Sequence, residues 1–295
     1  MTTMTTLETT AGPVPVRDSG GDGPIALLIH GLLVDGRLWD GVAERLTAEG
    51  VRVVSPDLPL GAHAHAMRPD ADLSPRGVAR LVDELATTLE LTDVTLVGND
   101  TGGAICQLVA AERPAWLGAL VLTPCDCYEN FLPPLFRPLQ VLARRAPWAL
   151  TAALQPLRLS APRRLPVAFG WLAKRGIPRE LEDGWLHGFF HDRAIRRDLC
   201  KTLAAIDSAD TLAAAERLRS FDRPVLLAWA PEDRFFSWKY AERLAADIPG
   251  ARIERIEDSY TFTALDQPAR TAELIGAFAR ETAAVAGPVI GQPLS

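Results

Sequence analysis

The chain has 295 residues, 48% of them hydrophobic and 23% charged, which excludes a disordered chain. No apolar run reaches the ~18 residues that a membrane-spanning helix needs. With 31 basic against 37 acidic residues the net charge is −6, which argues against nucleic acid as a partner.

Residues 1–24 are rich in Thr, Gly and Pro, and D-S-G-G-D-G-P at 18–24 reads as a turn. The start, Met-Thr-Thr-Met-Thr-Thr, lacks the basic residues and apolar stretch of a secretory signal. Residues 25–29 (I-A-L-L-I) form a short apolar run, as in a buried strand, and end in His30-Gly31. Leu38, Val42 and Leu46 are spaced four apart and predict a helix over 38–49, stopped by Gly50. A strand follows at 51–54. Ser74-Pro75 then opens a helix that runs to about 91. D-V-T-L-V-G at 93–98 is a strand, 101–112 a helix stopped by Arg113-Pro114, and 117–123 a strand. Residues 130–214 hold helical and proline-rich segments without a convincing strand. Strand and helix resume at 224–229, 238–247, 251–256 and 267–284, and 287–295 reads as a loose tail. Strands alternating with helices at this spacing call for a mostly parallel sheet with helices on both faces. The expected organisation is an α/β core in two pieces, 1–129 and 215–295, interrupted by a helical segment at 130–214. The four cysteines, at 106, 125, 127 and 200, make neither a disulfide scaffold nor a zinc site. A reduced, cytoplasmic protein without metal or cofactor is expected.

The sharpest motif is Gly98-Asn99-Asp100-Thr101-Gly102-Gly103, at the junction of a strand and a helix. It has the form of a nucleophile elbow, G-x-nucleophile-x-G, a turn so tight that its flanking positions must be small. An isolated G-x-D-x-G would more often be a helix cap, with Asp100 binding the first turn of its own helix. Context favours the elbow. His30-Gly31-Leu32-Leu33 follows the first strong strand, where the N–H of Leu32 would join that of Thr101 to hold developing negative charge. His30 itself reads as a ring bonded to loop backbone rather than as a base. Pro56-Asp57-Leu58-Pro59-Leu60-Gly61 follows the second strand, on a loop closing the same site.

Together these features resemble the α/β-hydrolase superfamily over the whole chain, with 130–214 as its helical cap. The aspartate at the elbow is similar to the branch that holds haloalkane dehalogenases and epoxide hydrolases. The resemblance implies an acid after one of two strands, which matches Asp233 in W-A-P-E-D-R and Asp126 in T-P-C-D-C. It also implies a histidine after the last strand, in a segment like G-H-F-x-x-x-E-x-P. Here Phe262 and Leu265-Asp266-Gln267-Pro268 set the register, and Thr261 stands where that histidine belongs. The five histidines are 30, 63, 65, 187 and 191, so none lies downstream. Replacement bases would be His63 or His65 after the second strand, or His187 and His191 in the cap. Thr101 also stands where dehalogenases place a halide-binding tryptophan. The cap has no tyrosine of the kind with which epoxide hydrolases protonate their substrate.

The catalytic set is therefore expected among Asp100, Thr101, Leu32, Asp233, Asp126 and Thr261. The substrate pocket is expected from His30, Leu33, Trp39, His63, Trp185 and Phe262, with Trp148 and Trp171 as further apolar candidates. The expected substrate is a small, largely apolar metabolite. Hydrolysis is implied by the resemblance. The missing histidine leaves open a lyase, isomerase or cyclase using Asp100 as base, or a protein that only binds a small ligand. From 130 to 179 there are nine Arg and Lys residues and no acid, which reads first as solvated outer faces of the cap helices and, as a functional alternative, as a positive lid over an acidic body. That charge would suit an anionic substrate or one carried on an acidic carrier protein.

Overall fold

The computed structural model describes residues 2–286. Its elements run β1 Thr3–Glu8, β2 Pro13–Asp18, β3 Ile25–Ile29, α1 Asp40–Ala48, β4 Arg52–Pro56, α2 Pro75–Thr88, β5 Val94–Asp100, α3 Thr101–Glu112 and β6 Leu117–Cys125. Then come six helices in succession: α4 Arg137–Arg145, α5 Pro147–Leu154, α6 Ser160–Arg163, α7 Arg179–His191, α8 Arg193–Ala205 and α9 Ser208–Leu218. The chain closes with β7 Val225–Trp229, α10 Trp238–Asp247, β8 Arg252–Arg255, α11 Thr263–Asp266 and α12 Pro268–Ala286. The tail expected at 287–295 lies outside the described residues.

One eight-stranded sheet has the order β1-β2-β4-β3-β5-β6-β7-β8. From β4 to β8 every neighbouring pair is parallel, while β1–β2 and β2–β4 are antiparallel. The inner strands are short and apolar throughout because both faces are covered. Val78, Leu85, Ile105, Leu218 and Leu244 pack on one face, from α2, α3, α9 and α10. On the other, Val42, Leu46, Ile275 and Phe278 of α1 and α12 join side chains of the inserted helices. Ser74 caps α2, its side chain accepting from the Gly77 N–H, with Pro75 at the first helical position. Arg113, at φ 52°, ends α3 just before Pro114.

Two expectations change. Residues 1–24 are not merely turns: β1 and β2 form a hairpin at the sheet edge, with Val14 and Val16 buried and β1 nearly all exposed. The boundary expected at 214/215 falls inside α9. That helix already packs on α3 in the core layer, so the chain returns to the core before β7. Among the described residues no helix is long and apolar enough to cross a membrane.

Candidate active site

Asp100 ends β5 at φ 54° and ψ −133°, a strained backbone for a residue with a side chain. The turn is tight enough that a Cβ on Gly102 would stand 2.4 Å from the carbonyl oxygen of His30. Asp100 makes no side-chain capping bond to α3. The N–H groups of Thr101 and Leu32 lie near its carboxylate and favour the charged form. Gly31 must be glycine for the same reason, since a Cβ there would lie 2.1 Å from Asp100 Oδ2.

Above the carboxylate is a cavity of about 80 Å³. Its floor is Leu32, Leu33, Asp100, Thr101 and Asp126, and its wall comes mainly from the inserted helices, including Phe136, Leu154, Phe169, Leu172, Leu199 and Leu203, with Phe235. Space of that size admits several waters or a small ligand, since one water needs about 10 to 15 Å³ of such volume. A larger ligand requires the apolar side chains of the wall to move.

The polar floor carries carboxyls and a hydroxyl but no cation. Asp126 is fully buried, accepting from the Thr101 hydroxyl at 3.0 Å and from the Leu132 N–H at 2.9 Å. Burial drives its pKa well above the usual carboxylate range, and the neighbouring Asp100 adds to the shift. Burial likewise lifts Asp100 to about 7, against the two N–H groups that favour its charged form, with Asp233 adding repulsion. Burial thus favours the neutral form of Asp126, while Asp100 is poised near neutrality between its two states.

Asp233 sits one layer further in and does not line the cavity. Its carboxylate accepts from the Thr261 hydroxyl at 2.7 Å and from the N–H groups of Phe235 at 2.7 Å and Phe236 at 2.5 Å. Burial raises it to about 6 despite those three donors. Thr261 is wholly buried, and its carbonyl accepts from the Asn99 side chain at 2.7 Å. Asn99 also donates to Thr123 Oγ1 at 2.9 Å and to the Pro124 carbonyl at 3.1 Å, tying β5, β6 and the loop of Thr261 together.

A family model described as an alpha/beta hydrolase family matches residues 26–274. The chain belongs to the α/β-hydrolase family. An uncharacterized protein of Mycobacterium tuberculosis is 29% identical over 271 residues, covering 88% of this chain and 76% of its own length. A haloalkane dehalogenase of Mesorhizobium japonicum is 29% identical over 129 residues, 40% of this chain and 41% of that one. The solved haloalkane dehalogenase DbeA of Bradyrhizobium elkani superposes with a TM-score of 0.78, covering 97% of this chain and 100% of its own. At 18% identity that likeness is one of fold.

Against this α/β-hydrolase framework, Asp100, Thr101, Leu32, Leu33 and Asp126 meet at the cavity. The other residues expected to line a pocket stand outside its wall. His30 is buried with both nitrogens engaged: Nε2 accepts from the Leu58 N–H at 2.9 Å, so Nδ1 carries the proton toward the Gly31 carbonyl, also at 2.9 Å. Burial lowers its pKa, which keeps the ring neutral. His63 is equally committed, Nδ1 accepting from Gly61 and Nε2 donating to Asp198 of α8 at 3.4 Å. Neither can reach a bound substrate. His65 is exposed, and His187 and His191 stack on each other at 4.4 Å on the exposed side of α7. Trp185 is buried behind Phe169 and Phe262, its indole N–H donating to Asp35 at 3.1 Å. Phe262 straps its loop to the inserted helices through an N–H bond to the Leu172 carbonyl at 2.7 Å. Trp39 is fully buried in the core, and Trp171 packs on Phe235 without facing the cavity. Trp148 points outward and is 77% exposed.

Sequence reasoning missed the wall itself. Its pairs Ala168/Leu172 and Leu199/Leu203 lie four residues apart. Such apolar spacing is the one signal that would have drawn attention to them. It missed Leu132 as well, whose N–H on Asp126 has no sequence signature. Among the described residues no three His, Cys, Asp or Glu side chains are grouped to hold a metal ion.

Proposed function

We propose that this α/β-hydrolase-fold chain is an enzyme for a small, largely apolar substrate in which Asp100 is the reacting carboxylate and hydrolytic turnover has been lost. The carrying observation is the floor of the cavity. Its polar side chains are Asp100, Thr101 and Asp126, while the place of a base belongs to Thr261, whose hydroxyl is spent on Asp233. Loss of a positioned base costs about 10² to 10⁴ in rate, so an ester formed at Asp100 would persist.

What remains is an acid beside a base. Asp100, titrating near neutrality, takes a proton from a substrate carbon. For the second proton the Thr101 hydroxyl turns its hydrogen from Asp126 Oδ2 into the cavity, gives it to another substrate atom and takes the proton of Asp126 in its place. If nothing leaves, the product is an isomer; if a group departs with that proton, the reaction is an elimination. Either outcome balances for the substrate without water as a reactant, and Asp100 then gives up its proton and Asp126 regains one by exchange with solvent before the next turnover.

A nucleophilic reading is favoured by one feature, an Asp100 that lines the cavity from a strained turn with the N–H groups of Thr101 and Leu32 beside it. Intact-protein mass spectrometry separates the two. Activated esters, alkyl halides and epoxides should leave the mass unchanged, while small ketones should exchange α-hydrogen for deuterium in heavy water, and Asp100→Asn should abolish the exchange. A persistent adduct at Asp100 would establish the nucleophile, rapid turnover of these electrophiles would mean another base acts, and silence in both assays would indicate a binding protein.

A further inference from the structure

Six of the eight large apolar side chains exposed on the described surface lie between residues 135 and 167: Leu135, Val141, Trp148, Leu159, Leu165 and Val167. This is the stretch that carries cations without acids. Within 130–179 the ion pairs are made by Arg163, Lys174, Arg175 and Arg179. Arg137, Arg144, Arg145, Arg158 and Arg164 have no carboxylate partner among the described residues. Arg144 and Arg158 donate to main-chain carbonyls, which leaves their charge uncompensated. Trp148 also borders an open groove of about 680 Å³ between α5 and α8, shared with Arg193, Arg196, Arg197 and Lys201 and containing no acid. Of these, Arg197 is paired with Asp198, while Arg196 and Lys201 bond only carbonyls.

We propose that this face of the inserted helices docks on an anionic lipid surface. Exposed tryptophan, leucine and valine interspersed along the chain with arginines and no carboxylate, and a tryptophan sharing its groove with four cations, is the composition that suits a bilayer interface: the indole sits at headgroup depth and the guanidinium groups meet lipid phosphates. A solvated helix face would mix both signs and bury its tryptophan. An acidic protein would explain the arginines but not six separate apolar side chains spread over α4, α5 and the turns that follow. The cavity also bears on the choice. Val167 both lines it and is 52% exposed, so the apolar pocket reaches the surface on the apolar, cationic face. A substrate dissolved in the bilayer would meet the pocket there without crossing water. The docking does not depend on which chemistry Asp100 performs.

The test is flotation of the full chain with phosphatidylcholine vesicles made with and without phosphatidylglycerol. Binding is expected to the anionic vesicles only, and to fall as ionic strength rises from about 0.1 M to about 1 M, where the screening length shrinks from about 10 Å to about 3 Å. Arg145→Glu and Arg193→Glu should each weaken it by about fivefold or more, the factor for a cation near such a surface. Trp148→Ser should weaken it at every salt concentration. Arg255→Glu, an exposed arginine of β8, should leave it unchanged, and Asp100→Asn should float like the parent. All these surface variants should unfold at the parent temperature. Absence of flotation, equal binding to uncharged vesicles, or equal weakening by Arg255→Glu would overturn the proposal. So would capture by a soluble acidic protein with no binding to vesicles.

Discussion

The molecule holds two sets of sheltered aspartates and treats them in opposite ways. Asp35, Asp57 and Asp198 hold the loops of the core against one another and against α7 and α8. Each has an arginine: Arg37 on Asp35 at 2.7 Å, Arg17 on Asp57 at 2.6 Å and Arg197 on Asp198 at 2.7 Å. Burial pushes Asp35 and Asp198 upward, but hydrogen bonds and the paired charge outweigh it, and both end below the usual range. Asp100, Asp126 and Asp233 have no cation beside them, and burial prevails. The paired guanidinium is what Asp35 and Asp198 have and Asp100, Asp126 and Asp233 lack, and it offsets a burial that otherwise prevails. One set holds fixed charge and serves structure, while the other holds exchangeable protons, the condition chemistry requires.

The largest expected effect is at Asp100. Its folded pKa of about 7 lies above the unfolded value near 3.9, so the folded state binds the proton more tightly. The resulting stability is complete below about pH 4 and is lost as pH rises through 7. Asp100→Asn removes that loss. It should be more stable than the parent by on the order of 4 kcal/mol at pH 8 and equal to it at pH 4, by urea unfolding at both values. Equal stability at pH 8 would break the contrast between the two sets.

Asp198→Ala should do the reverse. It leaves Arg197, His63 and the Met67 N–H without their acceptor and should cost about 3 kcal/mol at pH 7. Because the Asp198 pKa is depressed, that deficit should shrink as pH falls through the carboxylate range. A deficit independent of pH would mean that packing, not charge, is what Asp198 supplies.

The smallest of the three effects on stability is expected for Thr261→His, which places a ring in a fully buried site and should cost about 2 kcal/mol by overpacking. Its value is in the chemistry. Asp233 already accepts a hydrogen bond from position 261, so the new imidazole would be oriented by an acid in place. Release of a covalent adduct, or slow ester hydrolysis absent from the parent, should appear by mass spectrometry. No gain in a folded variant would show that Thr261 is not what limits hydrolysis.

Much of this was legible before any coordinates. The strand–turn–helix at Gly98–Gly103, the His-Gly loop and the lack of a histidine beyond 191 all follow from residue order, because tight turns accept few residue types. The hairpin of β1 and β2 was not legible. Thr3–Glu8 is mostly exposed and shows no apolar alternation, and Pro13 and Pro15 argue locally against a strand. The wall of the cavity was hidden as well, because a helical apolar stripe looks the same whether it faces a core or a pocket. Least legible was the protonation of the floor. Asp126 and Asp198 are the same letter, and only the fold brings one to Thr101 and the other to Arg197.

Asn99 carries a consequence for position 261. Thr261, which the resemblance places where a histidine is expected, is held closely by its surroundings. Asn99 fastens the carbonyl of Thr261, and Asp233 receives its hydroxyl. Position 261 is thus a structural tie between β5 and the loop of Asp233, and any side chain that replaces the threonine inherits both bonds' geometry.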